Sequence, residues 1–404
     1  MRHRDALETA PLSRRGFIKA TATSASGIVL AGVSAEALAA GPPWQQTSDK
    51  KIRIGIVGGG FGLSFHWHEH PNCIVEAVSD LIPERRERLQ KKYGCEKTYE
   101  SLEQLIQDPA IDAVGVFTEA TNHARHVIDC MEHGKHVVSA VPACCSLEEA
   151  AAMKEAKERT GLTYMMAETS HYRPETITAR RLHQDGLFGE LVYCEAEYYH
   201  PGIGWADNEL STRDGKRTWR WGYPPMWYPT HSTAFLVSVT RERLVKVSCI
   251  GTRRPADPGF QDNPYNNPFA NGLALFLTDQ RHPFRCHVCW DIHGHGERAQ
   301  WFGTQAALYM PGCAGQPFAL QLPEQSLNTA PSYWQMLPEK MRYDTGHGGS
   351  HPFLTNEFIM ALVEERAPEV DLYEALAMTV PGLVAHESSF KDGEQLPIPS
   401  FDVA

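Results

Sequence analysis

Residues 51–80 read KIRIGIVGGGFGLSFHWHEHPNCIVEAVSD. The apolar run Ile52-Arg53-Ile54-Gly55-Ile56-Val57 has the texture of a strand buried in a parallel sheet. It stops at Gly58-Gly59-Gly60-Phe61-Gly62, and a second apolar run, Ile74 to Val78, ends at Asp80. Strand, glycine turn, helix, strand and terminal acid, in that order, form a dinucleotide-binding fingerprint. Gly58, Gly60 and Gly62, with Phe61 between them, let backbone N–H groups approach a pyrophosphate at a helix N-terminus. A carboxylate about 20 residues on accepts the ribose hydroxyls. Asp80 would repel a 2′-phosphate, which favours NAD over NADP.

The strand–helix alternation continues outward from this stretch. Arg85 to Lys92 is a polar helical run, and Thr98 to Asp108 spaces its apolar residues as a helix does. Ile111 to Phe117, Lys135 to Val138 and Leu162 to Ala167 read as further strands. His123 to His133 reads as a helix closed by Gly134, and Ser146 with Glu149 forms a capping-box signature before a helix through Glu158. Such alternation predicts a doubly wound parallel sheet over residues 51–170. After about Thr169 the texture changes. Leu191 to Tyr199, Leu244 to Gly251, Gly272 to Thr278, Phe284 to Ile292 and Gln300 to Met310 read as strands separated by loops rich in Gly, Pro, Trp and Asn. Residues 171–404 are therefore expected to form an α+β domain on a large, open, mostly antiparallel sheet. The loop from Trp205 to Trp227 is longer than a connector needs, as binding loops often are.

Residues 1–40 read differently. Ser13-Arg14-Arg15-Gly16-Phe17-Ile18-Lys19 is a twin-arginine motif, followed by a weakly apolar stretch, Ala20 to Val33, and a small-residue site at Ala37-Leu38-Ala39. This predicts a signal peptide over 1–40, a linker over 41–50, and a periplasmic or extracellular protein without a stable membrane anchor. That route carries folded proteins, so a nicotinamide enzyme there is expected to keep one NAD and regenerate it within each turnover. The net charge of −11 argues against nucleic-acid binding. The ten cysteines are scattered and read mostly as small buried apolar residues. No metal site is expected, either at Cys286/Cys289 or at His66/His70.

Several segments taken together resemble the Gfo/Idh/MocA oxidoreductases, the glucose–fructose oxidoreductase and inositol dehydrogenase group. They are Arg53 to Gly60 with His66, Asp112 to Phe117 with Thr118 and His123, Gly134-Lys135-His136-Val137 leading to Pro142, and Tyr172-Arg173-Pro174 followed by Gly186 to Glu190. The resemblance implies an N-terminal Rossmann domain binding NAD through the glycine turn, Asp80, Thr118, His123, Val141, Pro142 and Glu168. Two departures stand out. The family's third fingerprint glycine falls at Leu63, and its Glu-Lys-Pro motif is Ala140-Val141-Pro142 here. A valine cannot move a proton, so alcohol oxidation by the family's usual lysine is not expected. Val-Pro at this place is similar to the NAD-dependent glycosidases of the superfamily, of the α-N-acetylgalactosaminidase type. Met165-Met166 with Glu168, Tyr198-Tyr199-His200, Tyr228-Pro229-Thr230-His231 and Gly346-His347-Gly348-Gly349 are similar to the same subgroup, although its glutamate is Ala140 here and its aspartate Pro201.

That resemblance implies a redox-assisted cleavage: oxidation of a sugar at C3, loss of the C2 proton with expulsion of the C1 substituent, addition of water, and re-reduction. Tyr228 and His231 are the first catalytic candidates, flanking a proline turn that can aim both into one cleft. Tyr198 and His200, two apart on a strand, face one side together. Trp205, Trp219, Trp221 and Trp227 are candidates for a sugar-stacking wall, or for packing under the loop. A small carbohydrate or glycoside substrate and a homodimer or homotetramer are expected. A sugar or polyol dehydrogenase that stops at the 3-keto product, and a catalytically inactive sugar-binding protein, remain open alternatives.

Overall fold

The computed structural model describes residues 41–254, 257–312 and 314–403, so the signal-peptide reading of 1–40 lies outside the described residues. The first sheet has six parallel strands, β1 (Ile52–Val57), β2 (Cys73–Ser79), β3 (Lys97–Tyr99), β4 (Ala113–Val116), β5 (His136–Ser139) and β6 (Tyr164–Met166), in the order 3-2-1-4-5-6. The order reverses at β1, so the crevice beyond the strand ends β1 and β4 is where a doubly wound sheet binds ligands. Helices Pro83–Tyr93, Leu102–Leu105, His123–Glu132 and Leu147–Thr160 are the crossovers. Ser146 caps the last of them by accepting from the Glu149 N–H at 3.1 Å, but the Glu149 carboxylate takes the N–H of Cys145, one residue before the expected partner.

One expected element is different. The turn after β1 does not open an α-helix; it leads into two short 3-10 turns, Phe61–Ser64 and Trp67–Glu69. Only Leu63 to Asn72 separate Gly62 from β2, too few for a crossover helix to span the sheet. Phe65 and Trp67 point into the core instead, where Phe65 stacks on Phe117 at 4.7 Å between centroids. The helix His351–Val363, from the far end of the chain, packs there and joins Ile52, Ile54 and Ile56 in one buried cluster.

The second sheet comprises β7 (Leu191–Tyr199), β10 (Leu244–Thr252), β11 (Asn271–Thr278), β12 (Pro283–Cys289), β13 (Gly296–Gly303), β14 (Ala307–Tyr309), β15 (Ala319–Leu322), β16 (Gln325–Leu327) and β17 (Leu396–Pro397), in the order 16-15-14-13-7-12-11-10-17. A small hairpin, β8 (Thr212–Arg213) and β9 (Lys216–Arg217), stands apart in the long loop. Every pairing in the large sheet is antiparallel except that of β7 with β12. The run Gln300–Met310 splits into parts of two strands. Helices Pro174–Gln184, Thr230–Thr240 and Leu372–Ser389 cover one face; the last is longer than its sequence pattern suggests and also packs on Leu147–Thr160 and β6. The other face leaves Val192, Ile250, Leu273 and Leu275 between 41 and 60 % exposed. The nine described cysteines are buried free thiols, and among the described residues no helix is long and apolar enough to cross a membrane.

Candidate active site

A cleft of about 220 Å³ lies between the two sheets and runs from Phe61 to Tyr228. Phe61, Phe117, Thr118, His123, Ala140 and Val141 line its first-domain side, and Tyr198, His200, Trp219, Arg220, Tyr228, His231 and His347 line the other. The four catalytic candidates thus share one wall. The ring centroids of Tyr198 and His231 are 4.7 Å apart, those of Tyr228 and His231 5.5 Å, and those of Tyr198 and His200 5.9 Å. They come together because β7 delivers Tyr198 and His200, while the 3-10 turn Pro225–Trp227 ends at Tyr228 just before the helix that starts at Thr230.

His231 is the best-supported side chain. Its Nδ1 lies 2.8 Å from Oε1 of Glu168, which is fully buried and also accepts the Ser170 N–H at 2.8 Å. A carboxylate accepts only, so Nδ1 carries the proton and Nε2 is left as the basic nitrogen. Burial opposes ionisation of Glu168, but the charge and hydrogen bond of His231, with the Ser170 N–H, hold its pKa down to about 2. Behind this pair, Ser170 Oγ donates to Glu297 Oε2 at 2.5 Å, and Arg173 closes an ion pair on the other Glu297 oxygen. Glu168, expected to hold cofactor, orients His231 from behind through Oε1.

The tyrosines are set differently. Burial pushes Tyr228 up, against the pull of the neighbouring Arg220, and raises Tyr198 far above its ordinary range. Both are phenols at neutral pH, able to donate a proton. Burial, with the charge of Arg220, lowers His200 to about 4, and burial lowers His347 to about 3, so both rings are neutral. A basic imidazole beside a protonated phenol divides acid and base roles between His231 and Tyr228.

The first-domain side fits NAD. Gly58 has φ +101°, and a Cβ there would meet the Phe117 carbonyl oxygen at 2.2 Å, so only glycine permits the turn. A Cβ on Gly60 would meet nothing within 4 Å, which leaves open space in front of the turn for a pyrophosphate. Gly62 lies 3.2 Å from Ile56 and Phe117 by the same measure, the close packing asked of a third fingerprint glycine. Asp80 ends β2 with Oδ2 accepting the Gly59 N–H at 2.6 Å and Oδ1 the Ile82 N–H at 2.8 Å. It braces the turn and keeps lone pairs for a ribose. Thr118 lines the cleft and is held by His126 at 2.8 Å. His123 is tied to the carbonyls of Pro142 at 2.7 Å and Thr118 at 3.2 Å, so it fastens two strand ends together while one edge lines the cleft. Val141 presents an apolar surface there, through a cis peptide bond to Pro142.

Of the four loop tryptophans, Trp219 reaches the cleft. Trp221 is buried and donates to the Asp262 carbonyl, Trp227 packs on Tyr223 and Tyr265, and Trp205 sits under Arg254. His66 and His70 diverge, the first to Glu69 and the second to Asn356. Sequence reasoning missed Arg220, the Ser170–Glu297–Arg173 chain and the role of His347. The left-handed backbone at His347, Gly348 and Gly349 places that imidazole 6.0 Å from His231 and 5.7 Å from Phe61. The glycines around it were the available signal.

Comparison with known proteins agrees with this geometry. Residues 52–168 match the model of the Gfo/Idh/MocA oxidoreductase family, NAD-binding Rossmann fold. An α-N-acetylgalactosaminidase of Shewanella oneidensis is 22 % identical, and a glycosyl hydrolase family 109 protein of Shewanella pealeana 24 %, each alignment covering 96 % of both chains. Among solved structures, a levoglucosan dehydrogenase in complex with NADH and levoglucosan superposes with a TM-score of 0.73 at 16 % identity, covering 87 % of this chain and 100 % of that one. An oxidoreductase domain protein of Kribbella flavida gives 0.71 at 18 %, with the same coverage. Residues 52–168 thus match the NAD-binding Rossmann fold of the Gfo/Idh/MocA oxidoreductases, and the chain is similar along nearly its whole length to glycosyl hydrolase family 109 relatives.

Proposed function

We propose that this protein is an NAD-dependent enzyme that cleaves a glycoside by transient oxidation of the sugar. The observation that carries the reading is His231, its Nδ1 fixed on buried Glu168 and its ring on a cleft that begins at the dinucleotide turn. Bound NAD supplies a reversible two-electron oxidation of a sugar carbinol. His231 Nε2 takes the hydroxyl proton as C3 becomes a ketone, and the imidazolium so formed is stabilised by Glu168. The ketone acidifies the C2–H bond; loss of that proton forms a C1–C2 double bond and expels the C1 substituent. Tyr228, held protonated by burial, is placed to donate to the departing oxygen. Water then adds at C1, a proton returns to C2, and C3 is reduced again. The net reaction is hydrolysis, with no NAD consumed. Val141, apolar where a proton-transferring lysine would stand, leaves this work to His231 and Tyr228.

The test is release of aglycone from aryl glycosides followed beside absorbance of NADH. Release without accumulated NADH supports cleavage. Stoichiometric NADH without release would make the protein a dehydrogenase that stops at the ketone.

The twin-arginine motif at Arg14-Arg15 supports export in the folded state, with NAD already bound; NAD released on denaturing freshly purified protein tests the retention. The exposed face carrying Val192, Ile250, Leu273 and Leu275 supports a homodimer or homotetramer. Light scattering of the wild type and Leu275→Lys tests it: a monomeric wild type overturns it.

A further inference from the structure

His347 and His351 meet as a pair beside the dinucleotide turn. His347 lines the cleft, and its Nδ1 lies 3.0 Å from Nε2 of His351. His351 is buried and begins the helix His351–Val363. Burial, then the neighbouring His231, His351 and Arg173, lower the His347 pKa to about 3 against the pull of Glu168. Burial lowers that of His351 to about 4, opposed by the Ser64 carbonyl and helped by His66, Lys92 and Arg173. Both rings are therefore neutral at pH 7. A hydrogen bond between two neutral imidazoles has one donor and one acceptor, so the second nitrogen of each ring takes the opposite role.

Ser64 decides which way the pair runs. Its carbonyl is the backbone acceptor beside the His351 ring, whose buried Nδ1 has no other partner among the described residues. A carbonyl oxygen accepts only, so His351 carries its proton on Nδ1 and presents a bare Nε2. His347 Nδ1 then donates to it, and a bare Nε2 is the nitrogen that His347 has left for the cleft. The opposite arrangement would bury a lone pair of His351 against the carbonyl, at the cost of an unsatisfied polar atom. The pair is seated on the nucleotide turn itself. Ser64 ends the 3-10 turn Phe61–Ser64, and the Phe61 ring meets both imidazoles edge-on, with 5.7 Å between centroids in each case. Phe65 lies 4.9 Å from His351. On the other side, Gly348 is left-handed at φ +63°, and a Cβ there would fall 2.6 Å from an Arg173 nitrogen. The loop thus lies close against the ion pair of Arg173 and Glu297.

We propose that His351 is a positioning residue: it holds His347 in the Nδ1–H tautomer, fastened to the dinucleotide turn, so that the cleft meets a second bare imidazole nitrogen beside that of His231. This rests on the reading of the cleft as the place of reaction. The two rings lie 6.0 Å apart and are backed differently. His231 leans on the Glu168 carboxylate, which stabilises an imidazolium. His347 leans on a neutral ring at a helix N-terminus, where positive charge is disfavoured. His351 therefore supplies orientation and tautomer to its neighbour, and no charge.

The experiment is nitrogen NMR of the purified full chain with its NAD, isotopically labelled at histidine, at about pH 7. Long-range proton–nitrogen correlations tell a protonated ring nitrogen from a bare one, and the signal absent from His347→Gln identifies His347. The wild type is expected to show His347 with its proton on Nδ1 and a bare Nε2. His351→Phe fills the same space and removes the acceptor. In it the proton should move to Nε2 of His347, and kcat/KM for aryl glycosides should fall on the order of 10- to 100-fold, as when a partner that fixes a working imidazole is lost. His351→Gln, whose side-chain carbonyl can stand where Nε2 stood, should keep the Nδ1–H tautomer and recover most of the rate. A fall confined to kcat puts the bare nitrogen at the reacting atoms, and one confined to KM puts it on a bound hydroxyl; both support the role of His351. A wild-type His347 with its proton on Nε2, an imidazolium there, or a His351→Phe that keeps the wild-type tautomer or the wild-type kcat/KM overturns it. If His351→Phe does not fold, the wild-type spectrum and His351→Gln still decide. The spectrum is read without turnover, so the two readings fail separately. The expected tautomer in a protein that releases no aglycone refutes cleavage alone, and aglycone release with a proton on His347 Nε2 refutes the role of His351 alone.

Discussion

Replacing Glu168 by Gln keeps the shape of the side chain and removes the charge that His231 rests on. The folded protein lowers the Glu168 pKa from its ordinary 4.5 to about 2. At about 1.36 kcal/mol per pH unit, this is on the order of 3 kcal/mol of stability held by the ionised, paired carboxylate. Because the folded value is the lower one, that stabilisation is complete above about pH 4.5 and disappears as the pH falls towards 2. Urea unfolding of Glu168→Gln is therefore expected to show a loss of up to roughly 3 kcal/mol at pH 7, narrowing below pH 4.5 and vanishing near pH 2. The same charge stabilises the protonated imidazole during turnover. With it gone, kcat should fall by as much as about 100-fold, the rate equivalent of that energy. Initial rates of aglycone release at about pH 7 measure the loss. A variant with wild-type kcat would refute the assignment of Glu168 and His231 as one unit.

Tyr228→Phe removes a proton donor without emptying the space it fills, so kcat should drop on the order of 100- to 10,000-fold with an unchanged melting temperature; a loss under tenfold removes Tyr228 from the chemistry. Asp80→Ala frees the Gly59 and Ile82 N–H groups and removes the ribose acceptor. The NAD content of purified protein should fall severalfold, and full retention of NAD would refute the placing of the adenosine ribose. Gly58→Ala drives a Cβ against the Phe117 carbonyl oxygen at φ +101°. Chemical denaturation should show a loss of at least about 1–3 kcal/mol, and a neutral result would mean that the turn relaxes.

Local pattern carried much of the fold into view. Apolar runs marked β1, β2 and β4, the first ending in glycine and the second in an acid, and Ser146 marked its helix cap. The crossover after Gly62 was misread because the glycine motif implies a helix, while the few residues that follow cannot reach across the sheet as one. The site was legible where one short segment holds its members, as with Tyr198 and His200 or Tyr228 and His231. It was not legible where partners lie far apart in sequence. Glu168 and His231 are 63 residues apart, and Arg173 and Glu297 are 124 apart. No periodicity records such a meeting, so Glu168 looked like a strand-end ligand.

The helix His351–Val363 lies against β1, and Lys50 reaches the carbonyl of Leu362 across 312 residues. On the ribosome, the nucleotide half is synthesised first yet emerges with one greasy flank bare, since the residues that seal it are made last. Until that helix has been made, the flank stays uncovered. Closure of that flank therefore waits until translation has passed Val363, and a product terminated before that point keeps the surface bare.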